Sequence, residues 1–298
     1  MVIDRLDASG LAALEAALRR GESVRLTAAE SPTPWDEIVP LCESGARADL
    51  ADLLPRRPCA RPDLAVTVVI PTHRSRPIGL ARYARQDVRV TPLVLANGAY
   101  TDGMRVAWEG HGATRNRALT HVLDPYVLFT VDDAIPLGDS FLQTLIERLE
   151  ATGADAVTAR QIPWPTADAA TRARIRAWTP PTPVAKPPLD NVAALYRTSA
   201  LRDDPFDRVP IAEDWLWGQR HRIAYAPDAA VVHSHARHFR DLYIRTRDVH
   251  RVRIGAGEPP NVPSFSAFLR ALPSTVGADL SGALAELLGQ YTAARNES

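Results

Sequence analysis

Two adjacent acids, Asp132 and Asp133, follow the apolar run 126–131 and precede a turn that contains a proline. The run is typical of a strand, so the acids stand where a strand ends. Neighbouring carboxylates cannot be buried there without partners, and a hard divalent cation that carries nucleotide phosphates is such a partner. The position therefore predicts a metal-diphosphate site at the carboxyl edge of a sheet, with ordinary capping of turn amides as the alternative.

The composition is that of a globular chain without net charge. The 298 residues are 46% hydrophobic, which is enough to bury one substantial core. Thirty-five basic residues balance thirty-five acidic ones, which argues against general attraction to nucleic acid or to an anionic membrane. Only Cys42 and Cys59 are present, so neither a disulfide framework nor cysteine-bound zinc is expected.

The sequence shows no leader-like N-terminus and no apolar run of the length that a transmembrane segment needs. We therefore expect a soluble, cytoplasmic protein that does not use nucleic acid as a partner. The sequence leaves its oligomeric state open.

Strand-like and helix-like patterns alternate from residue 65 onward, as they do in βαβ units. The predicted strands cover residues 65–70, 88–96, 126–131 and 223–232, and the predicted helices cover residues 78–86, 113–123 and 139–153. Strands joined by helices in this way pair in parallel, with helices on both faces of the sheet. We therefore predict a doubly wound α/β core.

Three parts are expected along the chain. Residues 1–63 form an N-terminal extension, in which a helix at 9–20 precedes an irregular, proline-rich connection. Residues 64–258 form the main domain, and residues 259–298 form a C-terminal helical segment. Within the main domain, prolines flank a short helical stretch from Ala169 to Trp178. This long connection is either a loop that borders a site or an inert surface excursion.

The main domain also carries short motifs in a characteristic order. They are Val68-Val-Ile-Pro-Thr-His-Arg74, Leu95-Ala-Asn-Gly98, Gly112-Ala-Thr-Arg-Asn-Arg-Ala118, Asp132-Asp133, Arg160-Gln-Ile-Pro163, Asn191 through Tyr196-Arg197, Ile211-Ala-Glu-Asp-Trp215, and Ala229-Ala-Val-Val-His-Ser-His235. In this order, over roughly residues 65–250, they resemble a family-2 glycosyltransferase of the GT-A fold, especially its rhamnosyltransferase-like bacterial members. The resemblance implies a GT-A (Rossmann-like) doubly wound mixed sheet.

By this resemblance, one set of residues binds the nucleotide. Thr72 and Arg74 lie in the turn after the first strand, where the backbone and one positive charge suit a base and phosphate. Asn97 stands where the family usually has an acid that contacts the base, Arg115 can clamp a phosphate or stack on a base, and Asp132 touches the ribose or base. The alternatives are a plain strand end, an ordinary Asn-Gly turn and a surface arginine.

The resemblance also implies a metal site in which Asp133 binds Mg2+ or Mn2+. His233 and His235 follow the strand 223–232 and are candidate further ligands. Their alternate spacing predicts that they point to opposite faces, so that only one of them reaches a given metal. His233 takes the place of the family's post-strand histidine, and hydrogen bonding of either ring to loop backbone is the alternative.

By the same resemblance, Glu213 and Asp214 match the family's Glu-Asp pair at the start of a helix, in which the aspartate is the expected general base. An acceptor hydroxyl is a poor nucleophile until a positioned carboxylate takes its proton. The metal stabilises the negative charge of the departing diphosphate, and a single displacement inverts the anomeric carbon. The alternative role of both acids is to stabilise the N-terminus of the helix.

We therefore expect an inverting, metal-dependent glycosyltransferase whose donor is a nucleotide-diphosphate sugar, UDP- or dTDP-linked by family resemblance. Its acceptor is a hydroxyl-bearing glycan, lipid-linked sugar or small natural product. One alternative is a nucleotidyltransferase, although the turn Pro71-Thr-His-Arg-Ser-Arg76 lacks the glycines of a phosphate loop. The other is a catalytically silent nucleotide-sugar-binding module of the same fold.

Overall fold

The computed structural model describes residues 61–260, apart from 75, 76, 78, 99–101, 165, 166, 236 and 237, together with 280–295 and isolated positions elsewhere. Most of the helix predicted for 9–20 lies outside the described residues, although Ala13 and Ala16 are helical. The proline-rich connection up to residue 60 also lies outside them. Much of the predicted C-terminal helical segment also lies outside them, although residues 280–295 are helical.

The described residues form strands and helices in alternation. The strands are β1 (Val2–Ile3), β2 (Arg25–Leu26), β3 (Arg61–Thr72), β4 (Val88–Ala96), β5 (Met104–Arg105), β6 (Tyr126–Thr130), β7 (Ile135–Pro136), β8 (Ala156–Ile162), β9 (Ala193–Arg197) and β10 (Ile223–Val232). The helices are α1 (Leu80–Tyr83), α2 (His111–Leu119), α3 (Phe141–Thr152), α4 (Ala169–Trp178), α5 (Thr198–Asp203), α6 (Glu213–Arg220), α7 (Phe239–Gly255) and α8 (Leu280–Arg295).

The central sheet has eight strands in the order β5-β4-β3-β6-β9-β8-β10-β7. Strand β3 pairs in parallel with β4 and β6, and β8 pairs in parallel with β10. Two strands run the other way: β9 lies antiparallel between β6 and β8, and β7 lies antiparallel to the end of β10. The sheet is therefore mixed, as predicted.

Apolar side chains of β3 point alternately to the two faces of the sheet, and both faces are covered. Val66, Val68 and Ile70 belong to one buried cluster, which α3 completes. Val69 belongs to the opposite cluster, which α2 and α6 complete. Burying a side chain of this size contributes about 1.5–3 kcal/mol, so the continuous apolar run of β3 stabilises packing on both faces. This is the doubly wound arrangement.

One edge of the sheet collects the ends of several strands. Because β3 pairs in parallel with β4 up to Thr72 and Ala96, the turns that follow both strands lie side by side. The parallel pairing of β8 with β10 likewise places Ile162 beside Val232. Strand β9 runs antiparallel, so the turn that precedes it, rather than the turn that follows it, lies at this edge.

The short strand β7 brings the chain after the two acids back to the end of β10. Ile135 pairs with Val232, and Pro136 pairs with Val231. The segment 133–134 therefore lies next to the segment that follows Val232. This return is the reason that the acid pair meets residues 233–235, although about one hundred residues separate them in sequence.

Helix α1 is shorter than the predicted 78–86. The chain after Tyr83 makes tighter turns, in which the amide of Gln86 donates to the Tyr83 carbonyl at 3.4 Å. The Gln86 side chain donates to the carbonyls of Arg82 and Gly138 at 3.2 and 3.0 Å, which ties this end of the helix to a neighbouring loop. Tertiary hydrogen bonds thus end a helix that the apolar spacing would allow to continue.

No helix within the described ranges is both long enough and apolar enough to cross a bilayer.

The N-terminus of α2 packs closely against the segment before α6, at a position where only glycine fits. A Cβ atom on Gly112 would lie 2.0 Å from the Asp207 carbonyl oxygen and 3.2 Å from the Glu213 Cβ. We predict that Gly112→Ala forces α2 away from α6 and lowers the free energy of unfolding by about 1–3 kcal/mol, the usual cost of overpacking. Urea denaturation measures this loss, and an unchanged midpoint would contradict the close packing.

Candidate metal and catalytic site

The carboxylate of Asp133 is buried among cationic and ring-nitrogen partners. Only 2% of the residue is exposed. Its Oδ1 lies 3.6 Å from His233 Nε2, and its Oδ2 lies 3.4 Å from His235 Nε2. The guanidinium of Arg74 approaches the same carboxylate, with Nη2 3.3 Å from Oδ2. Such surroundings are what a buried carboxylate requires.

Asp133, His233 and His235 have the geometry of a metal-ligand set. One donor atom from each lies within 4.8 Å of the other two. The two Nε2 atoms are 3.1 Å apart. Ligand atoms bound at about 2.0–2.2 Å to one ion lie roughly 3–3.5 Å from one another. The three side chains therefore fit a single first-row divalent ion.

Gln161 determines which nitrogen of His233 faces this site. The Gln161 amide nitrogen donates to Asp190 Oδ2 at 2.9 Å, so its amide oxygen faces His233 Nδ1 at 3.2 Å. Because an amide oxygen only accepts, Nδ1 carries the proton, and the lone pair of Nε2 is directed toward Asp133. This is the tautomer that a metal ligand needs.

The prediction that His233 and His235 point to opposite faces is wrong. Both Nε2 atoms face Asp133, although His233 is buried and His235 is 42% exposed in its side chain. The physical reason is that β10 ends at Val232. The alternation of side chains that strand geometry imposes does not extend beyond the last strand residue.

The predicted nucleotide residues Thr72, Arg74 and Asp132 lie together beside this acid. The Thr72 hydroxyl donates to Asp132 Oδ2 at 2.7 Å, and Arg74 Nε donates to Asp132 Oδ1 at 3.2 Å. The Arg74 backbone amide donates to the Thr72 hydroxyl at 3.0 Å. Arg74 therefore bridges both acids, and the Asp132 carboxylate is held by Thr72 and Arg74.

Asn97 lies next to the Thr72 turn. Its backbone amide donates to the Thr72 carbonyl at 3.0 Å. The following Gly98 touches the neighbouring turn so closely that a Cβ atom would lie 2.1 Å from the His73 carbonyl oxygen. Asn97 Oδ1 is buried and accepts no hydrogen bond within the described part of the chain. A buried acceptor of this kind suits a donor group on a ligand.

A second cluster surrounds Glu213 at the start of α6. Arg115 Nη1 donates to Glu213 Oε1 at 2.8 Å, and both residues are buried. The predicted nucleotide residue Arg115 is thus placed in an ion pair with the first acid of the Glu-Asp pair. It also lies 3.2 Å from His111 Nδ1, and burial, followed by the charge of Arg115, lowers the pKa of His111 to about 4. The imidazole is therefore neutral at neutral pH.

Asp214 is held in place by backbone amides. Asn191 N donates to its Oδ2 at 3.0 Å, and Trp215 N donates to its Oδ1 at 2.8 Å. Burial, followed by the negative charges of Glu213 and Asp190, raises the pKa of Asp214 to about 7. A carboxylate with a pKa near the working pH can both accept and release a proton.

The residue before this pair has an unusual backbone. Ala212, at the N-terminus of α6, has a φ of 64°, which is uncommon for a residue with a side chain and costs about 1–2 kcal/mol. Strain of this kind persists only where the surrounding structure imposes it, and it is frequent at functional sites.

Three residues that organise the site have no role that the sequence predicts. Gln161 orients His233, Asp190 orients Gln161, and Asn191 binds both acids of the Glu-Asp pair. The sequence shows only local features of these residues: Gln161 is a polar residue near the end of a buried strand, and Asp190 and Asn191 directly precede another strand. Their hydrogen-bond partners are distant in sequence, so these local features do not identify the contacts.

Comparisons with known proteins define the fold. No protein-family model matches the sequence, and no curated protein matches it significantly. The structure is similar to mannosyltransferase PcManGT from Pyrobaculum calidifontis in complex with GDP-Man and Mn2+, with a TM-score of 0.53, 17% identity, and coverage of 97% of this chain and 86% of that chain. It is also similar to S. aureus TarS 1-349 in complex with UDP, with a TM-score of 0.45, 18% identity, and coverage of 76% and 70%.

At this level of identity the likeness shows the fold alone. Together with the eight-stranded mixed sheet covered on both faces, it confirms the predicted GT-A (Rossmann-like) fold, the fold of a solved glycosyltransferase.

We predict that Mn2+ raises the midpoint of thermal unfolding, because a ligand that binds only the native state stabilises it, by about 2.7 kcal/mol at one hundred times its Kd. Asp133→Asn should remove most of this shift. Asp132→Asn is the matched control, because it removes the same charge one residue away at a position that is not one of the three candidate ligands. Equal shifts for wild type and Asp133→Asn, in a thermal-shift titration, would contradict the assignment.

Proposed function

We propose that this protein is a metal-dependent glycosyltransferase, which moves a sugar from a nucleotide-diphosphate donor to an acceptor hydroxyl. One observation carries the proposal: a candidate metal-ligand set around Asp133 lies at the edge of a GT-A sheet where the turn before β9 also holds Asp214, a carboxylate with a raised pKa. A protein that only binds a nucleotide sugar would need the metal-ligand set, but it would not need a carboxylate with a raised pKa. The two halves match the two requirements of glycosyl transfer, which are a stabilised leaving group and an activated nucleophile.

In the first half, Asp133, His233 and His235 would hold the divalent cation. When bound, the cation neutralises charge on the leaving nucleotide diphosphate. The donor set of two imidazoles and one carboxylate favours Mn2+ over Mg2+, because Mg2+ is bound through oxygen ligands and keeps much of its water. The PcManGT structure was solved with Mn2+, which supports the same choice.

The nucleotide is assigned to the neighbouring turns. Thr72, Arg74, Asn97 and Asp132 lie together at the ends of β3, β4 and β6. With a cation held at Asp133, Arg74 would no longer be needed to offset that charge, and its guanidinium would be available to a phosphate oxygen. The family resemblance favours a UDP- or dTDP-sugar, whereas PcManGT was solved with GDP-Man. All three nucleotides therefore belong in a test of donor use.

In the second half, Asp214 acts as the general base. It accepts the proton of the acceptor hydroxyl while the oxygen forms its bond to the anomeric carbon and the bond from that carbon to the diphosphate breaks. The electron pair of the broken bond stays on the diphosphate oxygen. Because attack and departure take place on opposite faces of one carbon in a single displacement, the product has the inverted configuration.

The acceptor is defined by its reacting group, which is a hydroxyl. A glycan, a lipid-linked sugar and a small natural product all supply one, and each belongs in an acceptor panel. The partly exposed indoles of Trp178 and Trp108 are 48% and 52% accessible, and aromatic faces of this kind suit stacking of a sugar ring.

We predict that Asp214→Asn lowers the rate of transfer by about 100- to 10,000-fold, because the amide cannot take the proton. The Kd values for Mn2+ and for the nucleotide should not change, because Asp214 contacts neither group in this proposal. The measurement is release of nucleotide diphosphate from GDP-, UDP- and dTDP-sugars with Mn2+ and an acceptor panel. Asp228→Asn, at an exposed position of β10, is the control.

Two outcomes of this experiment are decisive. Absence of release by the wild type with every donor would support a silent binding module and overturn the proposed activity. Full activity of Asp214→Asn would show that another residue acts as the general base.

The pH dependence follows from the pKa of Asp214. Since only the deprotonated carboxylate accepts a proton, kcat should rise about tenfold per pH unit below about 7 and level off above it. Burial and the charges of Glu213 and Asp190 place the transition there, well above the usual range of an aspartate. A pH-rate profile that is flat from about pH 5 to 8, measured at saturating Mn2+ and donor, would be incompatible with this base.

A further inference from the structure

The turn before β9 contains a carboxylate that joins three separate parts of the chain. Asp190 Oδ2 accepts hydrogen bonds from Gln161 Nε2 and from Trp178 Nε1, both at 2.9 Å. Asp190 Oδ1 accepts one from the backbone amide of Val192 at 3.0 Å. The same side chain therefore ties the end of β8 and the end of α4 to its own turn.

Gln161 connects Asp190 to the candidate metal ligand His233, and we call these contacts the metal arm. Gln161 is 7% exposed, and its backbone amide donates to the Thr179 hydroxyl at 3.0 Å. With the side-chain amide nitrogen bound to Asp190, the amide oxygen must face His233 Nδ1. Loss of the Asp190 acceptor would let the amide rotate and present its nitrogen to the ring. The opposite tautomer of His233, which directs a proton at the metal, would then be favoured.

Asn191 connects the same turn to the proposed base, Asp214, and we call its contacts the base arm. Asn191, which follows Asp190 directly, is 2% exposed. Its backbone amide donates to Asp214 Oδ2 and its side-chain amide donates to Glu213 Oε1, both at 3.0 Å. Its side-chain oxygen accepts from the Tyr196 hydroxyl at 2.7 Å. Both acids at the start of α6 are thus positioned by one buried asparagine.

We propose that Asp190 is a positioning residue that couples the metal half of the site to the base half. It acts on His233 through Gln161, and it acts on Asp214 through the turn that the bond to the Val192 amide holds closed. Consecutive residues, Asp190 and Asn191, carry the two arms, so a displacement of one arm moves the other. The base side of this inference rests on the proposed function, whereas the metal side does not.

The first test measures Mn2+ affinity by calorimetry, without donor. Asp190→Ala removes both acceptor oxygens, and Gln161→Leu removes the contact with His233. Both should weaken Mn2+ binding by about 10- to 100-fold, the usual effect of removing the partner that orients a metal-binding histidine. Tyr196 belongs to the base arm, so the Tyr196→Phe variant should bind Mn2+ like the wild type. Gln143→Leu, on the outer side of α3, is the matched control.

The second test measures kcat for donor turnover at saturating Mn2+. Asp190→Ala and Tyr196→Phe should each lower kcat by about 10- to 100-fold, because small misplacement of a reacting group has effects of this size. Gln161→Leu should keep most of its kcat once the metal is saturating. Asp190 is thus the position whose replacement changes both the metal Kd and kcat. An Asp190→Ala variant that changes only one of these quantities, or neither, would overturn the coupling.

A third test needs no activity and separates this inference from the proposed function. In 1H-15N spectra, saturation with diamagnetic Zn2+, which suits the same ligands, should shift the backbone amide of Asn191 in the wild type. The shift should be absent in metal-saturated Gln161→Leu. An unshifted wild-type signal, or an equal shift in both proteins, would overturn the coupling even for an active enzyme. If the wild type lacks activity but shows the variant-dependent shift, the coupling is supported and the proposed function fails.

Discussion

A carboxylate that is 2% exposed, as Asp133 is, has lost nearly all of its hydration, and that loss must be offset by charges and donors around it. Here they come from two places distant in sequence: Arg74 after β3, and His233 with His235 after β10. A cation held between the acid and the two imidazoles, as proposed, would offset the same loss, and Arg74 would then be free to bind another anion. The burial of one acid thus links the electrostatics of the site to the order of strands in the sheet.

Two antiparallel strands make this arrangement possible in a mainly parallel sheet. Strand β7 returns the chain after Asp133 to the end of β10, which brings the acid to the histidines. Strand β9 enters the sheet from this edge, so the turn with Asp190 and Asn191 connects the candidate metal ligands with the proposed base. With β9 parallel, that turn would lie at the opposite edge. The chemistry proposed for this protein therefore depends on where the chain reverses.

The local part of this structure could be predicted from the sequence, and the long-range part could not. Helix Ala169–Trp178 and strand Ile223–Val232 have their predicted bounds, because apolar spacing and flanking prolines act within one segment. Thr72, Arg74 and Asp132 were predicted to share a site, and they do, because parallel strands end at one edge. The direction of His235, the Arg115 ion pair and the role of Gln161 depend on contacts between segments up to about one hundred residues apart, which local patterns do not specify.

The most direct measurement is a crystal structure with Mn2+ and a nucleoside diphosphate, with anomalous data collected at the manganese edge. We expect one strong anomalous peak in contact with Asp133 Oδ, His233 Nε2 and His235 Nε2. We also expect Arg74 to turn away from Asp133 toward a phosphate oxygen. A manganese peak away from these three side chains, or an Arg74 guanidinium that still contacts the Asp133 carboxylate beside bound diphosphate, would contradict the proposed metal site.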